Sequence, residues 1–163
     1  MDFVDSLGPA FLAHRLRRLS DLMVDQVGAA LLRDGLTVPA RSISTLLLLR
    51  ERGPLGPVEI GRALRFSHPL MVRSLRTLEA LGLVEAIPDE ADQRRRRVQL
   101  TADGAREADR GLAITDEVAR QLSDRADEAG IDLALLLSAI DGLNATLGRH
   151  PLAISLEPLD VKR

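Results

Sequence analysis

Four consecutive arginines, Arg94 to Arg97, follow closely on the acids Asp89, Glu90 and Asp92. Guanidinium groups are planar, permanently charged donors that grip phosphate oxygens or enter a narrow groove of negative potential. A run of four needs a partner for its mutual repulsion, and a polyanion supplies one. The competing reading is a charged tip that only keeps an exposed strand edge soluble. The three acids could be mistaken for paired catalytic carboxylates, but their expected work is to orient the neighbouring arginines. A second basic group, Arg73 and Arg76, is spaced for one face of a helix.

Other chemistry finds little support. His14, His68 and His150 are far apart, and none has a second ligand three or four residues away, so no metal site is expected. The absence of Cys excludes disulfides, thiolate ligands and thiol-based sensing. No glycine-rich phosphate loop or nucleophile elbow is present, so neither a cofactor nor an enzyme is expected. Finding turnover by the purified protein would revive the enzyme reading.

The elements that must carry these arginines can be read from apolar spacing. With 163 residues, 45% of them hydrophobic, the chain can bury one substantial core, and a single domain over 1–163 is expected. Aromatics are only 2% of residues, so Leu, Ile, Val and Ala must build that core. A first helix is expected from Ser6 to Arg33, with Leu12, Leu16, Leu19, Met23, Val27 and Ala30 along one stripe. Gly35 stops it. Pro39 suits the first turn of a second helix that carries Ile43, Leu46 and Leu47 and ends near Gly53.

Pro57 can begin a short third helix through Leu64, and Ser67 is a suitable N-cap for a fourth that continues to Leu81 and stops at Gly82. Two short helices separated by about three residues form the helix-turn-helix pattern. On the fourth, Met71, Leu75 and Leu78 face inward, Pro69, Arg73 and Arg76 fall opposite, and Leu70 and Thr77 flank them. An arginine there can bond guanine O6 and N7 or grip phosphate. Residues 83–87 and 97–100 read as two short strands, with Arg94, Arg95 and Arg96 in the loop between them. A helix-turn-helix followed by such a hairpin is a winged helix-turn-helix.

Charge is distributed to match. Between Ile60 and Gly82 four arginines stand against Glu79 alone, whereas between Asp103 and Asn144 ten acids outnumber four arginines, although the whole chain carries only −2. A basic module on an acidic helical scaffold suits a nucleic-acid partner.

Gly82-Leu83-Val84, Asp92-x-Arg94 and Leu100-Thr101-x-x-Gly104 together resemble the MarR family of transcriptional regulators. The resemblance covers most of the chain and is most specific from Ser67 to Gly104. It implies a homodimer that places one winged module per subunit on a pseudo-palindromic operator, as a DNA-binding regulator. It carries the wing pair onto Asp92 and Arg94, with Arg94 in or along the minor groove. The recognition-helix positions fall on Ser67, His68, Pro69, Leu70, Arg73 and Arg76. Pro69 and Leu70 depart from the small hydroxyl residues common in the family.

The expected fold is therefore mainly α with a small β-hairpin wing: a winged helix-turn-helix over 37–101 on a helical dimerisation scaffold, 1–35 and 102–150. Thr101 can cap a long fifth helix reaching about Glu128, with Leu112, Val118 and Leu122 inward. Gly130 breaks the chain, and Leu133, Leu136, Leu137, Ile140, Leu143 and Leu147 form a final apolar face. Association through the first and last helices would bury both terminal stripes; an intramolecular bundle is the alternative. Residues 151–163 form a tail with Ile154, Leu156, Leu159 and Val161.

The family resemblance also implies a small-molecule effector, often an aromatic acid, bound between dimer helices and winged module. His14, Arg17 and Arg18 could meet such an anion, against the plainer reading of a solvated helix face. The acidic start and the lack of any long apolar run point to a cytoplasmic protein. A protein-binding adaptor is the competing function, motivated by Pro69 and Leu70 on the exposed face.

Overall fold

The computed structural model describes residues 3–89, 92 and 94–153. Two compact units divide inside a long helix, Met1–Val118 and Ala119–Arg163. In chain order the elements are α1 (Phe3–Ser6), a 3₁₀ turn (Gly8–Phe11), α2 (Leu12–Arg33), a second 3₁₀ turn (Ala40–Ser42), α3 (Ile43–Arg52) and α4 (Pro57–Leu64). They continue with α5 (His68–Ala80), β1 (Val84–Pro88), β2 (Arg96–Leu100), α6 (Ala102–Glu128) and α7 (Leu133–Arg149). The chain is thus mainly helical with one antiparallel hairpin, and α4, the three residues 65–67 and α5 form the helix-turn-helix.

The first long helix is shorter than the expected Ser6 to Arg33. Gly8 adopts a left-handed backbone, φ 64°, and Pro9 lacks the N–H a continuing helix would use, so α2 starts only at Leu12. Its end follows the expected logic. Gly35, at φ 72°, lets the Leu36 N–H turn back to the Leu31 carbonyl at 2.9 Å, which closes the helix and buries both leucines. Pro39 precedes a 3₁₀ turn rather than opening α3, and Arg41 Nη2 ties that turn to Asp21 of α2 at 2.5 Å.

The core lies in the first unit. Leu46, Ile60 and Leu78 are fully buried from α3, α4 and α5, with Leu83, Val84 and Val98 closing it from the hairpin. Val84 pairs with Leu100 and Pro88 with Arg96, so β2 begins one residue earlier than its apolar alternation implies. Leu55, between α3 and α4, adds a third strand of one residue: its N–H reaches the Val98 carbonyl at 3.1 Å, and the Val98 N–H returns to the Leu55 carbonyl at 2.8 Å. The isolated Leu55 between prolines and glycines carries no strand periodicity, which is why this bridge is not legible in the sequence.

α6 begins as expected. The Thr101 hydroxyl accepts from the Gly104 N–H at 3.1 Å and donates to the Gly82 carbonyl at 2.7 Å, so it caps the helix and ties it to the end of α5. The inward row in the first unit is Gly104, Ala108, Gly111 and Ile114, with Val118 half-buried. Leu112 is half exposed and points away, because it lies about 100° around the helix from Gly111. Both glycines allow close approach. A Cβ on Gly104 would overlap the Leu83 carbonyl oxygen, and one on Gly111 would come within 2.6 Å of Ile43 Cδ1.

In the second unit Leu122 is half-buried and Ala126 is buried. Gly130 turns the chain at φ 67°, and the Asp132 carboxylate caps α7 by accepting from the Leu135 N–H at 2.9 Å. No residue of α7 is buried. Ile154, Leu156, Leu159 and Val161 of the expected tail lie outside the described residues, as does Glu90. Among the described residues no single helix is long and apolar enough to cross a membrane.

Candidate nucleic-acid interface

α5 is held by one face and offers the other. Met71, Leu75 and Leu78 are buried as expected, and Ser74 joins them with its hydroxyl 3.0 Å from that of Thr45 on α3. This buried hydroxyl pair fixes α5 against α3, and apolar periodicity alone does not reveal it. On the opposite face Ser67, His68, Pro69, Leu70, Arg73 and Arg76 are all exposed. The guanidiniums of Arg73 and Arg76 have no ion-pair or hydrogen-bond partner among the described residues. Thr77 is half-buried, and its hydroxyl donates to the Arg73 carbonyl one turn earlier at 3.0 Å, so it is already engaged within the helix.

Ser67 occupies the N-cap position with extended backbone, φ −63° and ψ 153°, but its side chain makes no capping bond. The expected cap is therefore present in backbone form only. Its carbonyl accepts from the Met71 N–H at 3.0 Å, and its hydroxyl is left over for another partner.

The wing differs from the expected loop of three arginines, Arg94 to Arg96. Arg96 pairs with Pro88 and Arg97 with Ile87 inside the ladder, which leaves Arg94 and Arg95 in the turn. Arg97 is half-buried, and its guanidinium donates to the Pro54 carbonyl, fastening the wing to the segment before α4. Asp92 shapes the tip. One carboxylate oxygen accepts from the Arg94 N–H at 3.0 Å, the other pairs with Arg95 Nε at 3.4 Å, and the Asp92 carbonyl accepts from the Arg95 N–H at 2.8 Å. Asp92 thus presents the arginines, the role its charge suggests. The Arg94 and Arg96 side chains are exposed and unpaired among the described residues.

The other candidate residues lie elsewhere. His14, Arg17 and Arg18 are exposed on α2, where Arg17 pairs with Asp21 along its own helix at 3.6 Å. An open cleft of about 350 Å³ in the first unit is lined by Gly35, Thr37, Leu81, Leu83, Asp103, Arg106, Glu107 and Arg110, and includes none of those three. Its charges are committed internally. The Glu107 carboxylate accepts from the N–H groups of Thr37 and Val38 at 3.0 and 2.8 Å, Arg106 pairs with Asp103, and Arg110 donates to the Asp34 carbonyl.

A helix-turn-helix with a basic outward face, followed by an arginine-tipped hairpin, defines a winged helix-turn-helix protein. More narrowly, residues 34–95 match the model of the MarR family. The fold is similar to that of Staphylococcus aureus MepR in a DNA complex, at 21% identity and TM-score 0.65 over 85% of this chain and 97% of that one. It is also similar to a mutant of E. coli MarR complexed with operator DNA, at 23% identity and TM-score 0.67 over 86% and 99%. A probable transcriptional regulator from Pseudomonas aeruginosa is 26% identical, with TM-score 0.62 over 83% and 96%. No curated protein matches the chain.

Proposed function

We propose that the protein is a homodimeric, sequence-specific DNA-binding transcriptional regulator, with α5 entering the major groove and the wing reaching the adjacent minor groove. The observation that carries this reading is the pair of exposed, unpaired arginines on the outward face of α5 together with the Asp92-shaped wing tip. The solved DNA complexes of MepR and MarR, which share the fold, add support. Arg73 and Arg76 read bases or phosphates from α5, Ser67 and His68 meet the backbone at its first turn, and Pro69 and Leu70 offer an apolar edge. Arg94, Arg95 and Arg96 supply the wing's charge, and Asp92 positions them.

The finer reading is a cytoplasmic repressor, without catalytic activity, relieved by a small anionic effector near His14, Arg17 and Arg18. Dimerisation through the first and last helices is supported by the apolar residues both leave exposed.

Selection of duplexes from a genomic library, followed by fluorescence anisotropy at several salt concentrations, tests the proposal. A preferred duplex bound about 10³-fold or more above scrambled DNA is expected. Weak binding that vanishes equally for both duplexes as salt rises would overturn specific recognition. Protein capture that survives neutralisation of Arg94 to Arg96 would favour the adaptor.

A further inference from the structure

The turn between α4 and α5 holds a conformation that its residue does not favour. α4 must stop after Leu64 for the chain to reach α5 within three residues, and it does so through a left-handed residue at its end. That residue is Arg65, at φ 53° and ψ 34°, the only non-glycine with positive φ among the described residues. The geometry lets the Phe66 N–H bond the Gly61 carbonyl at 2.9 Å and brings Phe66 against the core. Glycine adopts this backbone without steric conflict, and helix-turn-helix turns often contain it. An arginine there clashes its Cβ with its own backbone.

Arg65 is exposed, and among the described residues the fold draws no ion pair or hydrogen bond from its side chain in return. It precedes Ser67 and His68, the first residues of the proposed interface, by only two and three positions. Backbone strain retained at a site beside a binding surface points to a role for the side chain outside the fold.

We propose that Arg65 is a phosphate-gripping residue of the interface, a sequence-independent anchor that seats the start of α5 on the nucleic-acid backbone. This rests on the DNA-binding reading above. A phosphate contact carries no sequence information, so its loss should weaken every duplex alike and reduce the number of counterions released.

The test compares Arg65→Gly and Arg65→Lys with the wild-type full-length protein, measuring thermal unfolding and anisotropy binding to a selected and a scrambled duplex across a salt series. Arg65→Gly should unfold at higher temperature yet bind both duplexes more weakly by a similar factor. Its slope of log K against log salt should be shallower by about 0.9 per subunit. Arg65→Lys should keep the wild-type slope. A residue with only a structural role would leave the salt slope at its wild-type value. Wild-type affinity and slope in Arg65→Gly, while the wild type binds DNA, would overturn this inference alone. A wild type that binds no duplex would overturn the DNA-binding reading and this inference with it.

Discussion

Arginines divide by what already holds them. Arg97 is spent on the Pro54 carbonyl and Arg95 leans on Asp92, whereas Arg73, Arg76, Arg94 and Arg96 project without a partner among the described residues. Arg94→Ala is expected to weaken binding to all duplexes and to reduce the salt slope by about 0.9 per subunit, a backbone effect read by anisotropy. Arg73→Ala should instead change the ranking of duplexes, because a bidentate guanine contact is worth about 1–3 kcal/mol of discrimination. Equal losses on every sequence for both variants would sink direct readout by Arg73. Leu70, 41% exposed beside Pro69, has the chemistry to touch a thymine methyl. Replacing thymine by uracil at one operator position should weaken the wild type but not Leu70→Ala. No uracil-sensitive position shared with Leu70 would refute that contact.

At the scale of elements, α5 is positioned by apolar packing and by one buried polar pair. Thr45 and Ser74 satisfy each other 3.0 Å apart between α3 and α5, with no buried side-chain polar atom left unpaired among the described residues. Thr45→Val should cost about 1–3 kcal/mol in urea unfolding, because it strands the Ser74 hydroxyl in the core. The double variant Thr45→Val/Ser74→Ala should recover part of that loss, and strict additivity would contradict the pairing. The wing is fastened at its base rather than its tip, by the Leu55–Val98 bridge and the Arg97–Pro54 bond. At Gly104, α6 meets the chain entering β1 so closely that only hydrogen fits, which explains why a glycine follows Thr101 three residues on.

Across the whole molecule, apolar surface remains where a monomer gains nothing from it. Leu12, Leu16 and Leu19 on α2 are 39–49% exposed, and on α7 Leu136, Leu137, Leu143 and Leu147 are 38–55% exposed. Groups of leucines at helical spacing are what a self-association surface presents. The double variant Leu136→Asp/Leu143→Asp is expected to be monomeric by sedimentation and to lose about 10²-fold or more in operator affinity, since two half-sites would no longer be engaged together. A wild type that sediments as a monomer would remove this account of the exposed leucines.

The helices from α3 to α6 and the existence of a wing were legible because their determinants are local. Apolar spacing, Ser67 and Thr101 at helix starts, and Gly35, Gly53, Gly82 and Gly130 at stops act within a few residues of themselves. The outward placement of Arg73 and Arg76 followed from helical periodicity alone. Contacts between residues far apart in sequence were not legible: the Leu55 bridge, the removal of Arg96 from the wing tip, the Thr45–Ser74 pair, and the outward turn of Leu112. Neither was the strain at Arg65, because a left-handed arginine has no compositional signature and arises only where packed helices dictate the turn between them. Sequence by itself determined which segments become helices and hairpin and which arginines those segments carry, since these depend on short-range propensity and periodicity. Tertiary structure alone decided which arginines remain free to bind, because packing between distant segments sets which charges find a partner inside the protein.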